Sequence, residues 1–224
     1  HNSNILTISA QLSGTKRTDP KMLDYKKFWI GDKLQNIASE SYDILENWPT
    51  ICTLHELRND LGCQSVLDFG CGVGRFFPAF RDREYWGVDL NPLAISTAKQ
   101  LYPDYAHYFL EVGIHDEVYP KADLVLAFTV FLHLDDITLS NILTRVYIAC
   151  KKHLVIVECL GREWKDPQSI LPKFNRDLED YITLVCSSGF EFEKETREPN
   201  PQYAGNDAYY GKNTDTSFLT FRKV

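Results

Sequence analysis

The chain of 224 residues is 44% hydrophobic and 25% charged, enough apolar material for one buried core with room for an appendage. Its formal net charge of −7 works against holding a phosphate backbone by bulk electrostatics, and no run of Lys and Arg offsets it, so nucleic acid is not an expected partner. Six cysteines, at 52, 63, 71, 150, 159 and 186, show no CxxC spacing, no apolar run reaches about 18 residues, and no signal peptide is visible. The expectations are therefore no metal, no membrane, and a cytoplasmic protein with reduced thiols. The chain opens on His1 rather than Met, as expected of a trimmed chain or of a domain cut from a longer protein.

From about Asp24 to Leu61 the pattern is helical: Phe28, Leu34, Ile37, Tyr42, Ile44 and Leu45 fall roughly along one face. The character then changes. CQSVLDF (63–69), EYWGVDL (84–90), HYFLEV (107–112), ADLVLAF (122–128) and HLVIVECL (153–160) read as short strands. Helix-like stretches lie between them: GRFFPAFRDR, PLAISTAKQL and DDITLSNILTRVYIACKK. Strands alternating with helices predict right-handed βαβ crossovers and a parallel sheet covered on both faces. After a helix closing at Gly189, EFEKETREP and TSFLTFRKV alternate like two strands with no helix between them. The expected fold is α/β: a doubly wound, mostly parallel seven-stranded sheet with an antiparallel last strand. Residues 1–61 are expected to form a helical extension or lid, and 62–224 the core. The connection NPQYAGNDAYYGKNTD is long and rich in Gly, Asn and Tyr, as functional loops often are.

The densest signal is VLDFGCGVGRFF (66–77). Ligands of open α/β sheets bind at the carboxyl ends of strands, and glycine there lets backbone touch a ligand with no Cβ in the way. Gly70, Gly72 and Gly74 therefore either line a small-molecule site or merely make a tight turn. The dinucleotide fingerprint is GxGxxG, whereas the spacing here is GxGxG, with Arg75 where the third glycine would stand. Asp68, just before the turn, would repel a pyrophosphate and welcome an ammonium group. A nicotinamide oxidoreductase is disfavoured on both counts.

DFGCGVGR followed by GVDLNPLAISTAKQ resembles the class I S-adenosylmethionine-dependent methyltransferases, and the order of strands and helices resembles theirs from about Val66 to Lys223. The resemblance implies a Rossmann-like methyltransferase fold and S-adenosyl-L-methionine as cofactor, with S-adenosyl-L-homocysteine as product. It implies Asp89 on the ribose hydroxyls, a task suited to a carboxylate, which accepts from two O–H groups at once. Alone, Asp89 also reads as a helix cap or turn acid before Pro92. By the same resemblance Asp68 and the turn Gly70, Cys71, Gly72 and Gly74 lie near the methionine portion, and Leu90 on the adenine. The family often places an acid after the third strand. This chain has EVGIHDEV there, so the adenine is read either by Asp116 reaching back or by backbone at Ile114 and His115.

Methyl transfer from a sulfonium needs in-line positioning, and a base only if the acceptor holds its proton. After the fourth strand, in AFTVFLHLDD, Phe128 and Thr129 are expected at the methionine end, and His133 either as the base or as a wall of the acceptor pocket. No NPPY-like or DPPY-like sequence follows that strand, which points to a small-molecule acceptor, methylated on oxygen or nitrogen. Glu158, ending the fifth strand, either holds the substrate or is a solvated strand-end acid. Tyr25 is expected over the donor; Trp29, Tyr42, Trp164 and Tyr203 are expected around the acceptor, the N-terminal aromatics reading equally as core. The alternatives are an RNA or protein methyltransferase and a binding module without catalysis. A monomer or homodimer is expected.

Overall fold

The computed structural model describes residues 49–113, 118–163, 172–199 and 215–224. Helix α1 (Pro49–Asp60) precedes strand β1 (Ser65–Phe69). Then come β2 (Glu84–Asp89), α2 (Pro92–Leu101), β3 (Phe109–Glu111), β4 (Ala122–Phe128), α3 (Asp136–Ala149), β5 (Cys150–Cys159), α4 (Leu178–Cys186), β6 (Phe190–Glu198) and β7 (Thr216–Lys223). The seven strands form one sheet in the order β3-β2-β1-β4-β5-β7-β6. Strands β1 to β5 pair in parallel, and β7 runs antiparallel between β5 and β6. The chain reverses direction across the sheet between β1 and β4, the position at which open α/β sheets form a crevice.

Alternation along each strand divides the core into two layers. Leu67, Phe69, Val125, Ala127, Leu154, Ile156 and Leu219 face α3 and α4, which contribute Leu139, Ile142, Leu143, Val146, Tyr181 and Val185. Val66, Tyr85, Leu124, Leu126, Val155, Val157 and Phe218 face the other way, onto α1, α2 and the phenylalanines at 76, 77 and 80. Both faces are covered, so the central strands are mostly apolar, and β1 and β4 are buried along nearly all their length.

Two expectations change. GRFFPAFRDR does not form an α-helix; it makes a short 3-10 turn at Phe77–Phe80. Pro78 has no N–H to bond back to Gly74, and the chain tightens to three-residue spacing instead, with Phe77 N–H on Gly74 O (3.1 Å) and Ala79 N–H on Phe76 O (3.0 Å). Residues 49–60, assigned to the extension by their sequence, belong to the core: Ile51, Leu54 and Leu57 are buried with Phe80 and Val66. The rest of the expected extension lies outside the described residues. At the opposite end of the sheet from the glycine turn, Asp123 ties three strands, accepting from Gln64 N–H (3.0 Å) and from Lys152 Nζ (3.1 Å).

Candidate functional site: the glycine turn and the ends of β2, β4 and β5

The turn after β1 is built by backbone. The N–H groups of Gly70 and Cys71 both donate to Val88 O, at 2.8 and 3.0 Å, which folds the turn over the end of β2. Gly70, Gly72 and Gly74 all have positive φ, at 76°, 55° and 79°. They do not do the same work. A Cβ on Gly70 would stand 2.4 Å from Val130 Cγ2, so this glycine lets the turn meet the loop after β4. A Cβ on Gly74 would meet the Phe109 ring at 2.8 Å, so that position serves packing within the protein.

Gly72 does something else: its N–H donates to Asp89 Oδ2 at 2.8 Å. Asn91 N–H donates to the other oxygen, Oδ1, also at 2.8 Å. The helix α2 is capped by Asn91, whose side chain accepts from Leu93 and Ala94 N–H, so Asp89 is not the helix cap. Its carboxylate is fixed in plane by one N–H on each oxygen, and each oxygen keeps a lone pair with which to accept again. Burial raises the Asp89 pKa, and the Asn91 and Gly72 N–H groups oppose that rise. Leu90, half-buried, follows directly.

Asp68 sits deeper. It is 1% exposed, and Tyr85 Oη donates to its Oδ2 at 2.7 Å. Burial pushes its carboxyl up to about 7, against the Tyr85 hydrogen bond, with Asp89 adding to the rise and Arg75 opposing it. Gly87 makes this arrangement possible: a Cβ there would meet Cys71 Sγ at 2.9 Å and Tyr85 Oη at 3.0 Å. The Cys71 side chain thus packs inward, and its burial raises the thiol well above its usual range.

Across the switch point, Phe128 is half-buried and packs against Phe76, the ring centroids 4.2 Å apart and the planes tilted by 34°. Thr129 is exposed and has φ 51°, an unusual conformation for a β-branched residue. The short turn Phe131–His133 follows. His133 is 7% exposed, and its Nδ1 lies 2.8 Å from Pro172 O. A carbonyl only accepts, so Nδ1 carries a proton.

Glu158 is not the solvated strand-end acid that one reading of the sequence offered. It points to the α3/α4 side of the sheet, is 0% exposed, and its Oε1 accepts from Phe131 N–H (2.9 Å) and Leu132 N–H (3.2 Å). Burial drives its carboxyl up to about 8, the two N–H groups and Arg176 opposing. Tyr25, Trp29, Tyr42, Ile114, Trp164 and Tyr203 lie outside the described residues.

The structure therefore brings Asp68, Cys71, the three glycines, Asp89, Leu90, Phe128 and Thr129 to the carboxyl ends of β1, β2 and β4. Sequence reasoning missed Tyr85, Gly87, Val130 and Arg176. Only Gly87 carried a local signal, a glycine within a strand pattern, which marks a close approach. Among the described residues no group of His, Cys, Asp or Glu could hold a metal ion, and no helix is long and apolar enough to cross a membrane.

Residues 67–153 match the family model of a methyltransferase domain. No curated protein sequence matches the chain. Solved structures share its fold. Magnesium protoporphyrin IX methyltransferase from Synechocystis PCC 6803, with bound S-adenosylhomocysteine, superposes with TM-score 0.61 at 14% identity, over 80% of this chain and 84% of that one. An S-adenosylmethionine-dependent methyltransferase from Clostridium acetobutylicum gives 0.61 at 12%, over 85% and 95%. Human N-acetylserotonin methyltransferase, in complex with S-adenosylmethionine, gives 0.57 at 19%, over 80% and 53%. Residues 67–153 thus match a methyltransferase domain, and the chain shares the Rossmann-like fold of these methyltransferase structures.

Proposed function

We propose that the chain is a class I S-adenosylmethionine-dependent methyltransferase, which transfers the methyl group of S-adenosylmethionine to an oxygen or nitrogen of a small-molecule acceptor. The observation that carries the donor half is the Gly72–Asp89 hydrogen bond, which aims a carboxylate with two remaining lone pairs over the end of β2. In this reading Asp89 accepts from both ribose hydroxyls and Leu90 covers the adenine. Gly70 and Gly72 offer backbone to the methionine portion, and the Asp68 carboxyl lies close behind. Phe128 and Thr129 border the reacting methyl.

The donor supplies an activated methyl on a positively charged sulfur, so displacement needs in-line placement more than acid–base help. Where the acceptor is protonated, His133 Nε2 takes the proton, its tautomer held by Pro172 O. The net charge of −7 and the lack of an NPPY-like sequence after β4 support a small acceptor over RNA. The relatives point the same way, since their names include N-acetylserotonin and mitomycin 7-O-methyltransferases.

Calorimetric titration with S-adenosylmethionine, S-adenosylhomocysteine and NAD tests the donor half; micromolar binding of the first two and none of NAD is expected. Incubation with deuteromethyl donor and separated pools of metabolites, RNA and protein tests the acceptor half. Label appearing only in RNA or protein would replace the small-molecule reading.

A further inference from the structure

The turn Phe131–Leu134 is too short to satisfy its own backbone, yet it sits in the interior. Its partners come from two distant parts of the chain. Glu158 takes the N–H groups of Phe131 and Leu132. Arg176 donates from Nη1 to Phe131 O at 2.9 Å and from Nη2 to Leu134 O at 2.6 Å. Phe174 N–H donates to Leu132 O at 2.7 Å. Arg176 also forks onto Asp136 Oδ1, at 3.0 and 2.6 Å, and lies over the Tyr181 ring at 5.7 Å. Its own carbonyl receives Gly161 N–H at 3.0 Å, closing the loop back to the end of β5.

One carboxylate thus grips the donor side of the turn and one guanidinium its acceptor side. Both are buried, Glu158 at 0% and Arg176 at 4% exposure. Burying a carboxyl and a guanidinium is a poor route to mere stability, since well-packed apolar groups of equal size often do as well. What the pair does fix is geometry. The strap 172–176 is bound to the turn through Phe174 and Arg176, and the same strap presents Pro172 O to His133 Nδ1.

We propose that Glu158 and Arg176 are positioning residues for methyl transfer, clamping the Phe131–Leu134 turn to the 172–176 strap so that His133 keeps its proton on Nδ1. The clamp rests on the role given to His133 above for its use in catalysis, but its geometry is testable without an acceptor. Neither residue touches the donor. They act through the backbone of the turn and the carbonyl of Pro172.

The test is long-range nitrogen NMR of histidine-labelled protein, with the His133 signals assigned from a His133→Gln variant. The wild type should show a single Nδ1–H tautomer for His133. Glu158→Ala and Arg176→Ala should turn it into a tautomer mixture, and Glu158→Gln, which still accepts both N–H groups, should restore the single form. S-adenosylhomocysteine affinity, titrated in the same samples, should stay within about twofold of wild type, because the clamp lies apart from the glycine turn. Should an alanine variant not fold, Arg176→Lys gives the same reading, since it keeps the charge but loses the fork. An unaltered tautomer in the folded variants, or an Nε2–H tautomer in the wild type, overturns the proposal. Failure of the wild type to bind S-adenosylhomocysteine would instead strike the donor site, and the two failures are distinguishable.

Discussion

The two sides of the crevice are held by different means. On the side proposed for the donor, backbone does the work: three positive-φ glycines, two N–H groups on Val88 O, and one N–H on each oxygen of Asp89. On the side proposed for the acceptor, buried side chains do it, with Glu158 and Arg176 gripping a turn that closes only part of its own hydrogen bonds. A backbone cradle suits a ligand whose shape never varies, because it has no rotamers to lose. A side-chain clamp leaves the turn's sequence free to change with the acceptor while its position stays fixed.

Variants should respond differently on the two sides, and the largest effect belongs to Asp89. Asp89→Ala removes two charge-assisted hydrogen bonds to the donor, so calorimetry should show about 3 kcal/mol lost, or roughly a hundredfold in Kd. An unchanged Kd would remove Asp89 from the ribose and the comparison with it. Next in size is Gly70→Ala. The added Cβ meets both a φ of 76° and Val130 Cγ2 at 2.4 Å, so a loss of about 1–3 kcal/mol in stability is expected by denaturant titration. Adding Val130→Ala should recover only the steric part of that loss, and full recovery would mean that the backbone conformation costs nothing.

Smaller effects come from protons. Asp68 is raised from 3.8 to about 7 and Glu158 from 4.5 to about 8, so the folded chain binds more protons than the unfolded one across that window. Their contribution to stability is fully present below about 4 and is lost as pH rises through 7 and 8. Melting temperature should therefore fall from pH 5 to pH 8, and less steeply in Asp68→Asn and in Glu158→Gln, each measured against wild type. His153, whose pKa is lowered from 6.5, tilts the curve the other way, which is why the differences between variants carry the test. A slope unchanged in both variants would show that neither carboxyl is protonated in the fold. The smallest effect is linked to the donor's positive charge, which should draw the proton from Asp68. Titrations near pH 7 in buffers of different ionisation enthalpy should reveal about half a proton released. Equal heats in all buffers would place Asp68 out of the donor's electrostatic reach.

Why the donor side was legible in the sequence, and the acceptor side was not, follows from the same contrast. VLDFGCGVG and GVDL are contiguous, and their chemistry is local: glycine for positive φ, an acid at a strand end. The mostly parallel sheet, its two covered faces and the antiparallel finish could likewise be read from alternation and spacing. Glu158 and Arg176 meet Phe131 from 27 and 45 residues away, and no periodicity records such a meeting. A strand-end glutamate looks solvated until the fold buries it. Pro78 was the opposite case, a local signal that was present and outweighed by the apolar pattern around it, since it forbade the helix that pattern suggested.

The placement of β7 bears on how the sheet comes together. Strand β5 is complete at Cys159, but its outer neighbour begins only at Thr216, and β6 joins the sheet solely through β7. At synthesis rates of about 5–20 residues per second, the edge of β5 stays bare for some seconds after it has emerged. During that interval an apolar strand, buried in the finished protein from Leu154 to Glu158, is open to any other chain that can pair with it. Ribosome-bound nascent chains stalled before and after Thr216 would differ most at this edge, and a chaperone that favours unpaired strands has its natural opportunity there.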